Sequence, residues 1–350
     1  MFRSHAHRIG ALIVGAFLAL PVAALAQQAQ PAPAEKAAPA PAAAAPAPAA
    51  ADWNNPPAWK DVSGKPQYAS VPGRETNVLI QAQGHEWRKL RNGPVTTYGG
   101  WLLVAVLAVL VLFYLVKGSM KVHGQPTGRL IERFNAVERV AHWTMGISFV
   151  VLAITGIVIL FGKHIVLPWL GHAGFAWILS VGKNLHNFVG PLFIFSLVVF
   201  ILLYLKDNLL KPVDFAWLAG FGGMLSGKEL PSGRFNGGEK MWFWVGVVIL
   251  GITVSVTGLI LDFPNWNQGR EIMQESNLIH AIAAILFMAA SLGHIYMGTI
   301  GMQGAYAAMR DGFVDETWAK EHHPLWYDEV KAGKRPEKIV SGTAQPATGD

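Results

Sequence analysis

The 350-residue chain is 52% hydrophobic and only 14% charged, with a formal net charge of +6, a balance too apolar for an ordinary soluble domain. It contains no cysteine, which excludes disulfides, cysteine-ligated iron–sulfur clusters and covalently attached c-type haem, and leaves histidine as the metal ligand to look for. The basic residues cluster beside apolar stretches, so the charge reads as membrane orientation and not as affinity for nucleic acid.

In chain order, Arg3 and Arg8 precede an apolar run that closes with Ala24-Leu25-Ala26, the pattern of a secretory signal over residues 1–26. Residues 27–51 are almost pure Ala, Pro and Gln and predict an extended tether. Residues 52–97 are polar and mixed, with Trp53, Trp59 and Trp87, and read as a small segment on the far side of the membrane.

Five stretches near the length of a hydrocarbon span follow, at Tyr98–Val116, Val140–Phe161, His186–Leu205, Met241–Leu261 and Leu278–Gly301. The predicted fold class is therefore an all-α integral membrane protein. One extra N-terminal transmembrane helix at 98–117 precedes a four-helix transmembrane bundle within residues 118–312, and a tail follows at 313–350. Lysines and arginines crowd the loops at 117–139 and 206–240 and the tail, whereas the loops at about 162–185 and 262–277 hold only Lys163, Lys183 and Arg270. The first, third and C-terminal segments are thus expected in the cytoplasm of a bacterial inner membrane, and the mature N-terminus in the periplasm.

Twelve histidines are present, and four lie on the last four spans: His142, His186, His280 and His294. His280 and His294 are 14 residues apart on one span, which puts them on nearly the same helix face and about 21 Å apart along the axis. Charge topology places His186 and His280 at the periplasmic depth and His142 and His294 at the cytoplasmic depth. Two bis-imidazole sites follow, each suited to the two axial positions of a haem b iron and to electron transfer. Gly156, Gly190, Gly258 and Gly293 lie on the same spans, where a helix or porphyrin face can approach. His322 and His323, adjacent in the tail, read as surface residues.

An internal echo links Arg133-Phe134-Asn135 and a span ending AITGIVILF to Arg234-Phe235-Asn236 and a span ending SVTGLILDF. The offset is 101 residues at the start and 102 at the end, so one residue of slippage lies between. Where the first copy has His142, the second has Phe243 or Trp244. By spacing alone, Asn236, Gly238 and Glu239 in RFNGGEK read as a turn and helix cap, with the chemistry for a quinone carbonyl as the alternative.

The motifs AHWT, NLHNFVG, RFNGGEKMWFW, LIHAIAA, GHIYMG and WAKEHHPLWYDEV, spanning Phe134 to Val330, resemble the gamma subunit of membrane-bound formate dehydrogenase, a di-haem cytochrome b. The resemblance implies two haems b, held by His186/His280 and by His142/His294. It implies a quinone site, for ubiquinone or menaquinone, at Asn236, Gly238, Glu239 and His294. It also implies a catalytic alpha subunit and an iron–sulfur beta subunit as partners, with no formate-oxidising site on this chain. Many members carry Gln where this chain has Glu239, and the better-known members lack the first 125 or so residues. A cytochrome b serving a nickel–iron hydrogenase or another periplasmic oxidoreductase is the alternative within the class, and a haem-free membrane anchor the alternative outside it.

Overall fold

The computed structural model describes residues 82–223, 230–266, 268–335 and 339–341. The signal segment 1–26, the tether 27–51 and most of the 52–97 segment lie outside the described residues. Five described helices are long and apolar enough to cross a membrane: Gln83–Lys117, Ala136–Ile165, Leu167–Tyr204, Gly237–Asp262 and Arg270–Gly301. The chain is a mostly helical, multi-pass membrane protein.

The first span joins α1 (Ala82–Leu90) to α2 (Thr96–Lys117) through a π-helical turn, Arg91–Val95. Pro94 lies inside that turn and lacks an N–H, and the Thr96 hydroxyl donates to the Arg91 carbonyl at 2.7 Å. Its contacts run to the last span, where Phe113 and Tyr114 meet Tyr296 edge-on.

After the short strand β1 (Arg129–Glu132), α3 (Ala136–Ile165) starts at a capping box. The Asn135 side chain accepts from the Glu138 amide at 3.0 Å, and Glu138 accepts from the Asn135 amide at 2.8 Å. The chain continues almost at once into α4 (Leu167–Tyr204), with a break at Gly171, whose φ of 64° a side chain would strain. A loop is expected at 162–185, yet most of it is helical. Ala173 to Val181 is apolar, and a helix can run past the hydrocarbon where nothing breaks it.

The short α5 (Pro212–Ala219) lies beside the entrance to the fourth span, and buried Lys240 reaches Asp214 at 2.7 Å and the Leu209 carbonyl at 3.0 Å. That span opens as α6 (Gly237–Met241), widens into π-helix over Trp242–Leu250 and resumes as α7 (Gly251–Asp262). Here the one-residue slippage of the internal echo has a physical form. Bonds to the fifth residue back instead of the fourth absorb one extra residue, whereas the first copy is unbroken α-helix. The last span, α8 (Arg270–Tyr296), also ends in a π turn, Met297–Gly301.

The tail is folded. After α9 (Ala305–Arg310), β2 (Phe313–Asp315) pairs antiparallel with β1, which on its other side takes β3 (Ile339–Ser341), giving the order β2-β1-β3. This small sheet departs from an all-α expectation. Between β2 and β3, α10 (Glu316–His322) and α11 (Pro324–Lys331) bury Trp318, Trp326 and Val330 in the same core as Phe134 and Phe235. The sheet and these helices mark one end of the bundle, the tail end.

Candidate functional site

Helix α3 carries His142, α4 carries His186, and α8 carries His280 and His294. The structure brings them together in two pairs. The His142 and His294 rings stand 6.1 Å apart between centroids, and the His186 and His280 rings 6.2 Å apart. Two imidazole nitrogens each about 2 Å from one metal leave ring centres roughly 6 Å apart. Among the described residues no three His, Cys, Asp or Glu side chains converge on a metal-sized site. Each pair could offer two nitrogens, and a metal held there would have to bring its remaining coordination, as an iron porphyrin does.

Around the pair far from the tail end, two threonines decide the chemistry of the imidazoles. Thr155 Oγ1 lies 2.8 Å from His186 Nδ1, and Thr257 Oγ1 lies 3.0 Å from His280 Nδ1. Each hydroxyl already donates to a carbonyl one turn back, Thr155 to Val151 at 2.8 Å and Thr257 to Thr253 at 2.6 Å. With its hydrogen committed, each hydroxyl oxygen accepts, so each Nδ1 carries the proton and each Nε2 presents a bare lone pair. That is the tautomer a metal needs. The residue after each threonine is a glycine against the same ring: a Cβ on Gly156 would stand 3.6 Å from His186 Cε1, and one on Gly258 3.4 Å from His280 Cε1. These Thr-Gly pairs are the equivalent positions of the internal echo. Motif reading passed over the threonines, although the repeat carried the signal.

The pair nearer the tail end borders a cavity of about 990 Å³. Trp242, from the π-helical segment, stacks on His294 at 4.8 Å and 12°. Gly146 and Gly293 line the cavity, and neither has an atom within 4 Å of where a Cβ would stand, which leaves room for a flat macrocycle. His142 Nδ1 is buried with no hydrogen-bond partner among the described residues. Between the two pairs, Phe149, Phe193 and Phe287 pack together, with Phe149 and Phe287 only 4.6 Å apart.

Asn236, Gly238 and Glu239 line the same cavity. They also form a cap: Asn236 Oδ1 accepts from the Glu239 amide, and Glu239 accepts from the Asn236 amide, both at 2.9 Å. Glu239 is further paired with Arg133 at 2.8 Å. Its carboxylate is committed, and the amide nitrogen is what Asn236 has left to offer a ligand. A side chain on Gly238 would meet the Trp217 ring at 3.0 Å.

The tail histidines correct the surface reading. His323 is 1% exposed, and its Nδ1 donates to the Gly233 carbonyl at 2.7 Å. Burial, reinforced by the Arg133 charge, lowers its pKa from 6.5 to about 3. His322 lines the cavity, and its Nε2 is buried without a partner among the described residues.

Residues 133–312 match the family described as Prokaryotic cytochrome b561, a stretch that contains all four paired histidines and both copies of the repeat. Among curated proteins, the chain is 31% identical over 219 residues to the nitrate-inducible formate dehydrogenase cytochrome b556(Fdn) subunit of Escherichia coli, covering 61% of this chain and 98% of that protein. It is 29% identical over 210 residues to the formate dehydrogenase cytochrome b556(fdo) subunit of the same organism, covering 57% and 93%. It is 28% identical over 226 residues to the formate dehydrogenase cytochrome b556 subunit of Haemophilus influenzae, covering 60% and 88%.

Proposed function

Because the chain belongs to the prokaryotic cytochrome b561 family as a cytochrome b subunit of formate dehydrogenase, we propose that it carries electrons across the bacterial inner membrane, from a periplasmic formate-oxidising module to quinone on the cytoplasmic side. The observation that carries this reading is the pair of histidine couples, 6.1 and 6.2 Å between rings, at two depths of one bundle. A haem b held by His186 and His280, and another by His142 and His294, would supply reversible one-electron chemistry.

The chain's own residues supply the rest. His186 and His280 present their Nε2 atoms at the depth that charge topology assigns to the periplasm, where an iron–sulfur beta subunit docks and receives electrons from a catalytic alpha subunit. His142 and His294 do the same at the tail end, which the basic loops assign to the cytoplasm. The cavity beside His294 accepts the quinone: the Asn236 amide donates to a carbonyl oxygen, Gly238 lets the cap pack against Trp217, and the Glu239–Arg133 pair fixes the cap that aims the amide. Protons for the reduced quinone enter from the tail side, past His322. Electrons moving inward against protons taken from the cytoplasm separate charge, at about 2.3 kcal/mol per charge per 100 mV. The 98–117 helix is read as an addition to the haem-binding bundle.

The test is a formate-reduced minus oxidised spectrum of membranes containing the complex. Formate should produce b-type bands that quinone bleaches. Bands that hydrogen produces and formate does not would assign the chain to a hydrogenase, and no b-type bands even with dithionite would make it a haem-free anchor.

A further inference from the structure

Two helical hairpins, α3–α4 and α6–α8, each carry one copy of the repeat on the first helix. In each, the Thr-Gly of that copy faces a histidine on the second helix: Thr155 holds His186 at 2.8 Å, and Thr257 holds His280 at 3.0 Å. Both threonines are buried, 6% and 7% exposed, so water does not compete for these bonds. The other histidine pair lacks the device, since His142 Nδ1 has no partner among the described residues. One pair thus receives two hydroxyl acceptors, placed symmetrically by duplication, and the other pair differs.

We propose that Thr155 and Thr257 are positioning residues that set the reduction potential of the haem at His186/His280 below that of the haem at His142/His294. A hydroxyl oxygen accepting from Nδ1–H pulls the proton away from the ring and makes Nε2 a stronger electron donor. A stronger donor favours the more positively charged oxidised iron and lowers the potential, as hydrogen bonding around a ligand does at redox centres generally. Both bonds act on the imidazoles that would hold one haem, so their effects add. The site where electrons arrive then lies energetically uphill of the site next to quinone, and transfer between them runs down a gradient written into a Thr-Gly repeat. The same bonds orient the rings, because a hydroxyl tied to its own helix leaves the imidazole one direction to turn. The inference rests on the haem assignment to the two pairs.

A potentiometric titration of the b-type bands in the purified complex tests it, on the native chain, Thr155→Val, Thr257→Val, the double variant and the corresponding serine variants. Valine keeps the volume and removes the hydroxyl, leaving each ring only the backbone carbonyl that also faces it, Leu152 for His186 and Val254 for His280, while serine restores the hydroxyl. Each valine variant should raise the midpoint of one haem, the one lost in His280→Ala, and leave the other in place. The double variant should shift it further, and serine should return it toward the native value. Loss of that haem in valine with retention in serine would equally support a hydroxyl that holds the ring. Unchanged midpoints with both haems bound would overturn the inference, and so would loss of the haem in serine and valine alike, since then the methyl group and not the hydroxyl holds the site. If His280→Ala keeps both haems, the haem assignment itself fails, a result distinct from either.

Discussion

Arg133 pairs with Glu239 at 2.8 Å, and the two belong to opposite copies of the repeat. The equivalent residues exchange partners: Arg234 pairs with Glu138 at 2.8 Å. Each arginine also donates to the other's backbone carbonyl, Arg133 to Arg234 at 2.8 Å and Arg234 to Arg133 at 2.6 Å. Both guanidinium groups stack on both Phe134 and Phe235. The two hairpins are thus clasped at the tail end by a reciprocal lock in which each helix cap supplies the carboxylate for the other copy's arginine.

Breaking this lock leaves buried charge without compensation. Arg234 holds Glu138 and also Asp207, the latter at 2.6 Å, so Arg234→Ala should cost about 3 kcal/mol or more. Glu239→Gln keeps the cap acceptor but leaves the buried Arg133 guanidinium without its carboxylate, and should destabilise the chain for the same reason. Thermal unfolding of the purified protein, followed by haem absorbance, measures both. Melting temperatures at the native value in both variants would show that the lock contributes little.

The π-helical stretch Trp242–Leu250 makes a second prediction. It absorbs the extra residue that separates Glu239 from Thr257 relative to the first copy. Deleting Val245 should restore α-helix with both halves of the span in register, as in the first copy, so Thr257 stays on His280. The spectrum should keep both b-type contributions, and loss of either would show that the wide turn does not absorb the extra residue.

Much of this was legible in the sequence, and the reasons are physical. Apolar runs of span length and loops with unequal basic charge marked the membrane helices, and histidines inside such runs stood out because burying an unpartnered imidazole is costly. Helix ends were misplaced where apolar sequence such as Ala173 to Val181 runs on past the hydrocarbon. The Thr155 and Thr257 bonds were hidden because threonine is unremarkable in a span and each bond joins two helices. His323 was misread because adjacent histidines in a polar tail carry no sign of the tryptophans, Trp318 and Trp326, that fold over them.

His323 gives a pH dependence with a definite sign. Its pKa is about 3 in the folded chain and 6.5 when free, so between those values the unfolded state binds the extra proton. Stability should therefore be full above about pH 6.5 and fall as the pH drops toward 3. His323→Asn, which keeps a donor for the Gly233 carbonyl and cannot be charged, should flatten the profile in this window. Asp207 acts lower. Burial alone would raise its pKa, but hydrogen bonds from Arg335 and Arg234 hold it at about 2, so its contribution is lost only below about pH 4. A native profile that is flat from pH 6.5 to 4 would contradict the assignment of a buried, neutral His323.

The proposed quinone site can be tested apart from the proposed haem sites. Asn236→Ser keeps an N-cap oxygen and removes the amide donor, while Gly238→Val sets a side chain against Trp217. Both should leave the formate-reduced haem spectrum intact and slow quinone reduction, Gly238→Val more severely. Native quinone turnover in both variants would move the site away from Asn236 and Gly238.

The central claim is that His186/His280 and His142/His294 hold one haem each, and haem content of single-ligand variants tests it most directly. The native chain should carry two haems b, with His280→Ala and His294→Ala each retaining one and each losing a spectrally different component. Two haems in both variants, or the same component missing from both, would contradict the pairing.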